Sequence, residues 1–273
     1  MSTIPSHPGW RVVTISHLGH EKASSDDQTP PSVGAPSILA HEIKNPLAAI
    51  KGAAQLIARK LPHADKSLAR MITDEVDRIA RLVDRMQQLG SVRAEEPTSC
   101  NPHEAIRSAL ATIRAAGTHG VAIEEEFDPS LPPVLAHRDA LEQVLINLIS
   151  NAREACQDAF PDTGEGGQIT IRTRYVGGRM YTTKRFGRTV SLPIEVSISD
   201  NGKGVDHEVK DRLFEPFVTS KPSGQGLGLA LVRKLVRDMN GSITHERERA
   251  RSLTHFRVHL PVAPKGHEGK GAQ

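Results

Sequence analysis

Aromatic side chains are scarce in this sequence. Phe, Trp and Tyr together make up 3% of its 273 residues, with a single Trp. So few rings do not supply the row of stacking platforms that single-stranded nucleic acid requires. Cysteine is scarcer still. Cys100 and Cys156 stand far apart with no CxxC spacing, which argues against a disulfide scaffold and a structural zinc site and fits a reducing compartment. No run of about 18 apolar residues occurs, and the N-terminus lacks the apolar core of a secretion signal. Charge of one sign is not in excess either: 35 basic and 32 acidic residues leave a formal +3, which is not the field of a dedicated nucleic-acid binder. These absences point to a soluble, cytosolic protein that engages neither nucleic acid nor membrane. At 37%, hydrophobic residues are few for a single compact domain, so polar, unpacked stretches are expected beside the folded part.

Residues 1–36 carry scattered apolar residues, five prolines and the run Ser24–Ser25–Asp26–Asp27. They read as a disordered leader with a short strand at Arg11–Ile15. Residues 37–61 read as a helix: Leu39, Ile43, Ile50, Ala53 and Ile57 form a heptad seam with Pro46 in the missing place. Residues 66–90 repeat the pattern with Ile72, Val76, Ile79, Val83 and Met86, widened by Leu82 and Leu89. The two make an antiparallel hairpin over 37–95. One hairpin cannot cover both seams, so a twofold homodimer with a four-helix bundle is expected. From 100 to 262, helical stretches (Pro102–Ala116, Asp139–Ala159, Leu227–Met239) interleave with strands (Val121–Phe127, Gln168–Tyr175, Leu192–Ser199, Ser242–Glu246, Leu253–Leu260). There is no regular βαβ spacing. The fold class is therefore α+β: the hairpin, then a sandwich with helices on one face of a sheet. Val176–Val190 reads as a long hairpin loop, and residues 263–273 as a flexible tail.

Three stretches carry chemistry. In Asp139–Ala159 a polar stripe of Gln143, Asn147, Asn151 and Glu154 lies opposite an apolar face. Asp139 with Glu142 forms a capping-box-like start. Exposed faces favour Lys, Glu and Arg, so two Asn one turn apart suggest oxygen ligands for a hard cation. In the strand Ile194–Asp200, Ile194, Val196, Ile198 and Asp200 share parity, so the Asp200 carboxylate is aimed inward at the strand end. Gly202 and Gly204 follow, where the backbone turns or approaches a ligand. Finally, Gly224, Gly226 and Gly228 lead directly into a helix and free backbone N–H groups for an anion. This loop lacks the GK[ST] ending of a Walker A motif, and no parallel strand with an acidic partner makes it a Rossmann fingerprint.

In this order the blocks Asn147–Ala152, Asp200–Gly204, Leu213–Phe217 and Gly224–Ala230 resemble the ATP-binding domain shared by histidine kinases, type II topoisomerases, Hsp90 chaperones and MutL. The resemblance implies ATP and Mg2+ as cofactors. It makes Asn151 the magnesium ligand, with Asn147 as its phosphate-side neighbour. Asp200 becomes the acceptor of the adenine amino proton. Gly202 and Gly204 become the points where backbone nears the base, and Gly224, Gly226 and Gly228 the glycines of a mobile lid. Lys221, just before that lid, is placed to neutralise phosphate charge.

The string Leu39–Ala40–His41–Glu42–Ile43–Lys44–Asn45–Pro46 resembles the phosphoacceptor box of sensor histidine kinases. With Leu39 and Ile43 in the seam, His41 lies on the solvent side. A neutral imidazole is a good nucleophile near pH 7, and Glu42 beside it can take up the proton from its other ring nitrogen. The resemblance makes His41 the phosphorylated residue, Glu42 its general base and Asn45 the residue that directs water in a phosphatase reaction. Gly52–Leu56, the long hairpin ahead of Asp200 and Phe217–Pro222 narrow it to the nitrogen-regulation (NtrB-type) sensor kinases over residues 35–262. That family carries a PAS sensor domain before the phosphoacceptor helix, where about 36 polar residues stand here. The implied activity is autophosphorylation of His41 from Mg-ATP and transfer to an aspartate in the receiver domain of a response regulator, with phosphatase activity towards that regulator. A PII-type nitrogen signalling protein is a further implied partner. Two alternatives stay open. One is a phosphatase-only or regulator-docking module; the other is an ATPase or serine-directed kinase on the same nucleotide domain.

Overall fold

The structure is a computed structural model. It describes residues 2–3, 11–12, 35–61, 66–91, 96–161, 166–177, 180–182, 189–206, 208–221 and 224–264. Most of the expected leader and tail lies outside these residues. Within the first 32, which form a unit of their own, β1 (Ser2–Thr3) pairs antiparallel with β2 (Arg11–Val12).

Helices α1 (Ala35–Lys60) and α2 (Lys66–Gly90) form the hairpin. Pro46 sits inside α1 without ending it. The residues buried between the two helices are Ala40, Leu47 and Ala54 on α1 and Ala69, Val76 and Val83 on α2, each set at heptad spacing. The expected α1 seam is a different stripe, the one left for a second hairpin to cover. Ile43, Ile50 and Ile57 stay 43–52% exposed, because the small Ala40 and Ala54 allow the close approach and leave the larger residues on an open face. Lys44–Asp84 and Lys51–Asp77 ion pairs tie the helices in antiparallel register.

The second half begins with β3 (Thr98–Cys100), α3 (Pro102–Ala115), β4 (Ala122–Glu126), β5 (Val134–Ala136) and α4 (Arg138–Ala159). It continues through β6 (Gln168–Tyr175), β7 (Met180–Thr182), β8 (Thr189–Ser191), β9 (Ile194–Asp200), α5 (Gly228–Asp238), β10 (Ser242–Glu248) and β11 (Leu253–Leu260). The main sheet has the order β10-β11-β9-β6-β4, antiparallel throughout except for the parallel β4–β6 pair. The short pair β7–β8 forms the hairpin expected ahead of β9, while β3 and β5 make a second small pair that no periodicity announces.

Alternate residues of β6, β9 and β11 turn inward and meet α3, α4 and α5 in one core. Cross-strand rows such as Ile171–Ile198–Phe256 are its layers. The opposite face of the sheet is polar, with Arg174 Nε donating to Glu195 at 2.7 Å and Ser199 paired with His255 at 2.7 Å. Asn101 caps α3 by accepting from the His103 N–H at 2.9 Å. The expected capping box at Asp139 is not used: α4 begins one residue earlier, after His137, with no side-chain cap. Among the described residues no helix is long and apolar enough to cross a membrane.

Ile198 is fully buried at the centre of this sheet. Ile198→Val is expected to lower unfolding stability by about 1 kcal/mol and Ile198→Ala by about 2–5 kcal/mol, read from urea unfolding by circular dichroism. Equal, near-zero effects would contradict the central position of β9.

Candidate nucleotide site

Three elements converge: the outer stripe of α4, the end of β9 and the N-terminus of α5. The apolar face of α4 (Leu141, Val144, Leu145, Leu148, Ile149, Ala152) is buried in the core. That fixes Asn147 and Asn151, both half-buried, on the side facing away from it. The Asn147 amide donates to the Gln143 carbonyl at 2.8 Å, so its Oδ1 is left to accept or ligate. That oxygen lies 3.5 Å from where a side chain on Gly228 would begin. Gly228 opens α5, whose first turn has no side-chain cap. Uncapped N–H groups and the helix dipole therefore stand beside an amide oxygen, an arrangement that suits a phosphate carrying a hard cation. Among the described residues no three His, Cys, Asp or Glu side chains converge on a metal position. The donors here are neutral amide oxygens, which suit a magnesium ion held mainly by phosphate oxygens.

Asp200 is 2% exposed. Its Oδ1 accepts from the Gly202 N–H at 3.0 Å. Burial pushes its carboxyl up from 3.8 to about 6, against the Gly202 N–H, the charge of Arg247, the Thr254 hydroxyl and the charge of Lys221. The result is a carboxylate at neutral pH that desolvation keeps short of donors, and so a strong acceptor for a buried N–H. Asn201 anchors this strand end: its Oδ1 accepts from the Gln168 N–H at 2.8 Å and its amide donates to the Gly166 carbonyl at 2.7 Å.

The glycines divide by cause. A Cβ on Gly202 would lie 2.5 Å from the Ala155 backbone, so what crowds Gly202 is α4 itself. Gly204 faces the guanidinium of Arg247. Gly226 has φ +64, and a Cβ there would strike the Phe217 backbone, whose N–H donates to the Gly226 carbonyl at 2.9 Å. Gly224 sits against Thr219, while Gly228 is uncrowded apart from Asn147. Lys221 makes an ion pair with Glu154 on the α4 stripe, which places its ammonium one turn from Asn151.

His41, Glu42 and Asn45 are all exposed on α1. Lys44, three residues from His41, pairs with Asp84. The next residue on α2, Arg85, donates to Gln225 Oε1 at 3.1 Å. The level of the hairpin that carries His41 is thus the level that touches the Gly224–Gly228 loop. Two residues beside Asp200 escaped the sequence reading. Thr254 shares parity with Phe256 and Val258, and Arg247 shares parity with Ile243 and His245. A polar residue at a core-facing position of a strand was the available signal.

Comparison with known proteins agrees with this geometry. Residues 37–95 match the family described as His Kinase A (phospho-acceptor) domain. Residues 136–264 match the histidine kinase-, DNA gyrase B- and HSP90-like ATPase family. A sensory histidine kinase/phosphatase NtrB of Rhizobium meliloti is 42% identical over 230 residues, covering 84% of this chain and 58% of that protein. The protein of the same name from Rhodobacter capsulatus is 40% identical, covering 86% of this chain and 63% of that one. The chain therefore spans about three fifths of the length of the relatives it matches. Among solved structures, full-length ShkA in complex with AMPPNP superimposes with a TM-score of 0.65 at 25% identity, over 85% of this chain and 46% of that one. A paired-helix phosphoacceptor segment joined to this nucleotide-type sandwich, with matches of that extent, places the chain in the sensor histidine kinase family, among its NtrB-type members.

Proposed function

We propose that the protein is an ATP-dependent histidine kinase whose phosphoacceptor is His41, and that it also acts as a phosphatase of its regulator. The observation that carries this reading is the juxtaposition of Asn147 Oδ1 with the uncapped start of α5 at Gly228, on the helix whose Ala155 packs against the turn after the buried Asp200. One pocket then offers an acceptor for adenine and donors for phosphate.

Asp200 accepts a hydrogen bond from the adenine amino group. The backbone N–H groups around Gly224, Gly226 and Gly228 take the phosphate oxygens. Gly202 and Gly204 shape the turn under the base. Asn151, with Asn147, holds the magnesium ion, which supplies charge neutralisation on the phosphates. Lys221 leaves Glu154 for the phosphates when nucleotide enters. A neutral nitrogen of His41 attacks the γ-phosphorus, a P–N bond forms, the bond to the β–γ bridging oxygen breaks and ADP departs. Glu42 takes the proton from the other ring nitrogen. Positioning and electrostatics supply most of the rate.

The phosphoryl group then passes to an aspartate carboxylate of a response regulator receiver domain docked on the hairpin, with cleavage of the P–N bond. In the opposite mode Asn45 orients a water towards that acyl phosphate. The open face with Ile43, Ile50, Ile57, Ile72 and Met86 (43–52% exposed) is covered by a second copy in a homodimer. Relatives named sensory histidine kinase/phosphatase NtrB support a role in nitrogen regulation; a cytoplasmic location and a PII-type protein as a further partner complete the proposal.

His41→Gln is expected to abolish incorporation of labelled phosphate from ATP and leave nucleotide affinity within about twofold of wild type; persistent labelling would remove His41 from its role. Asp200 generates a second expectation. Its folded-state carboxyl is raised, so its contribution to stability is fully present below about pH 3.8 and is lost as pH rises through about 6. At pH 7.5 the ionised group is a net cost. Asp200→Asn should therefore stabilise the nucleotide-free protein at that pH, by up to about 3 kcal/mol, while weakening ATP binding. Thermal unfolding and calorimetric titration check both halves, and a variant that is less stable without nucleotide contradicts the assignment.

A further inference from the structure

One cross-strand row runs from β6 to β10 on the helix-facing side of the sheet. Ile169 pairs with Asp200, Asp200 with Thr254, and Thr254 with Arg247. Arg247 Nη1 donates to the Thr254 Oγ1 at 2.6 Å and to the Gly202 carbonyl at 3.0 Å. The Thr254 hydroxyl in turn hydrogen-bonds the Asp200 carboxylate, and Thr254 is 1% exposed.

A hydroxyl can point its single proton in one direction only, and a guanidinium can only donate. With Arg247 occupying the oxygen as an acceptor, the Thr254 proton is directed at Asp200. The carboxylate is thereby supplied with a donor from the protein side and is favoured in its ionised form. The same guanidinium lies over Gly204, where a Cβ would come within 3.0 Å of it, and its hold on the Gly202 carbonyl fixes the turn whose N–H also reaches Asp200. A cation in a half-exposed edge strand thus sets both protein hydrogen bonds to a carboxylate two strands away.

We infer that Arg247 is a positioning residue of the adenine pocket: it orients the Thr254 hydroxyl and the Gly202 turn so that Asp200 stays an ionised acceptor and selects a purine bearing an amino group. This rests on the nucleotide-binding reading above. The groups that face Asp200 are Arg247 from β10, Thr254 from β11, the Gly202 N–H, Lys221 from the segment before α5 and the Cys156 thiol from α4. Burial raises that thiol to about 11, so it stays neutral across the range concerned. Of the two cations, Arg247 is the one with a hydrogen-bonded route to the carboxylate; Lys221 is paired with Glu154.

The test is the affinity for ATP with magnesium, titrated calorimetrically from pH 5 to pH 8.5, for the full chain and for Arg247→Gln, Arg247→Met and Arg247→Lys. Two neutral variants are made so that the loss of one to misfolding, detected by circular dichroism, leaves the other to be scored. Wild-type affinity is expected to fall as pH drops through the Asp200 titration near 6. In the neutral variants the midpoint of that fall should move upward by about one pH unit, with Arg247→Lys restored towards wild type. The preference for ATP over inosine triphosphate should shrink in parallel. An arginine that merely braces the strand would lower affinity equally at every pH, and midpoints coinciding with wild type overturn the inference alone. Failure of the wild-type chain to bind ATP at any pH overturns the nucleotide-binding reading, and this inference with it.

Discussion

A carboxylate has to remain ionised at the buried end of β9, and the surrounding structure is arranged around that demand. Burial works against the charge, and nothing apolar in the core can relieve it. Relief comes from four directions: the Gly202 N–H, the Thr254 hydroxyl, the guanidinium of Arg247 and the ammonium of Lys221. Each arises from a different element, so the site exists only when β9, β10, β11 and the segment leading to α5 are all in place. The turn after Asp200 must also pass so close to Ala155 on α4 that only glycine fits at 202. This closes the strand end against the helix that carries Asn147 and Asn151. The instability accepted at Asp200 is of the kind that functional sites retain.

The hairpin answers a different requirement. Its helices pack on each other mainly through Ala and Val, with Leu47, and leave most of the larger apolar side chains open. Binding energy for a second surface is thereby kept in reserve. The exposed imidazole is carried on this same stalk, at the level where Arg85 meets Gln225. The Gly224–Gly228 loop touches the helix partner of the segment bearing His41. Phosphoryl transfer needs mainly approach and charge neutralisation, so a contact that couples the loop to the hairpin is the economical place for control.

Much of this was legible from residue order, for identifiable reasons. Helices α1 to α5 and most strands of the main sheet follow from periodicity, and the inward aim of Asp200 follows from its parity with Ile194, Val196 and Ile198. What escaped was geometry that periodicity does not encode. The contact between α1 and α2 within one chain escaped because bulky Ile43, Ile50 and Ile57 dominate the hydrophobic pattern, whereas Ala40, Leu47 and Ala54 are the residues buried against α2. Three-residue strands such as β3 and β5 have no period to detect. The Asp139 box lost to a start at Arg138, one residue earlier, where β5 leads directly into α4. Arg247 was missed because β10 was expected to end at Glu246, and a charged residue just beyond that end reads as solvated loop. The packing of Gly202 against Ala155 escaped as well, because a contact between a turn and a helix more than forty residues earlier leaves no period in the sequence.

The most direct measurement compares the affinities of ATP and inosine triphosphate for the wild-type chain at pH 7.5, with magnesium present. The two differ at the position proposed to donate a hydrogen bond to Asp200, an amino group in one and an oxo group in the other. A charge-assisted hydrogen bond replaced by two facing acceptors predicts roughly 10- to 100-fold tighter binding of ATP. Equal affinity for the two nucleotides would mean that Asp200 does not read the base, and would contradict the account at its foundation.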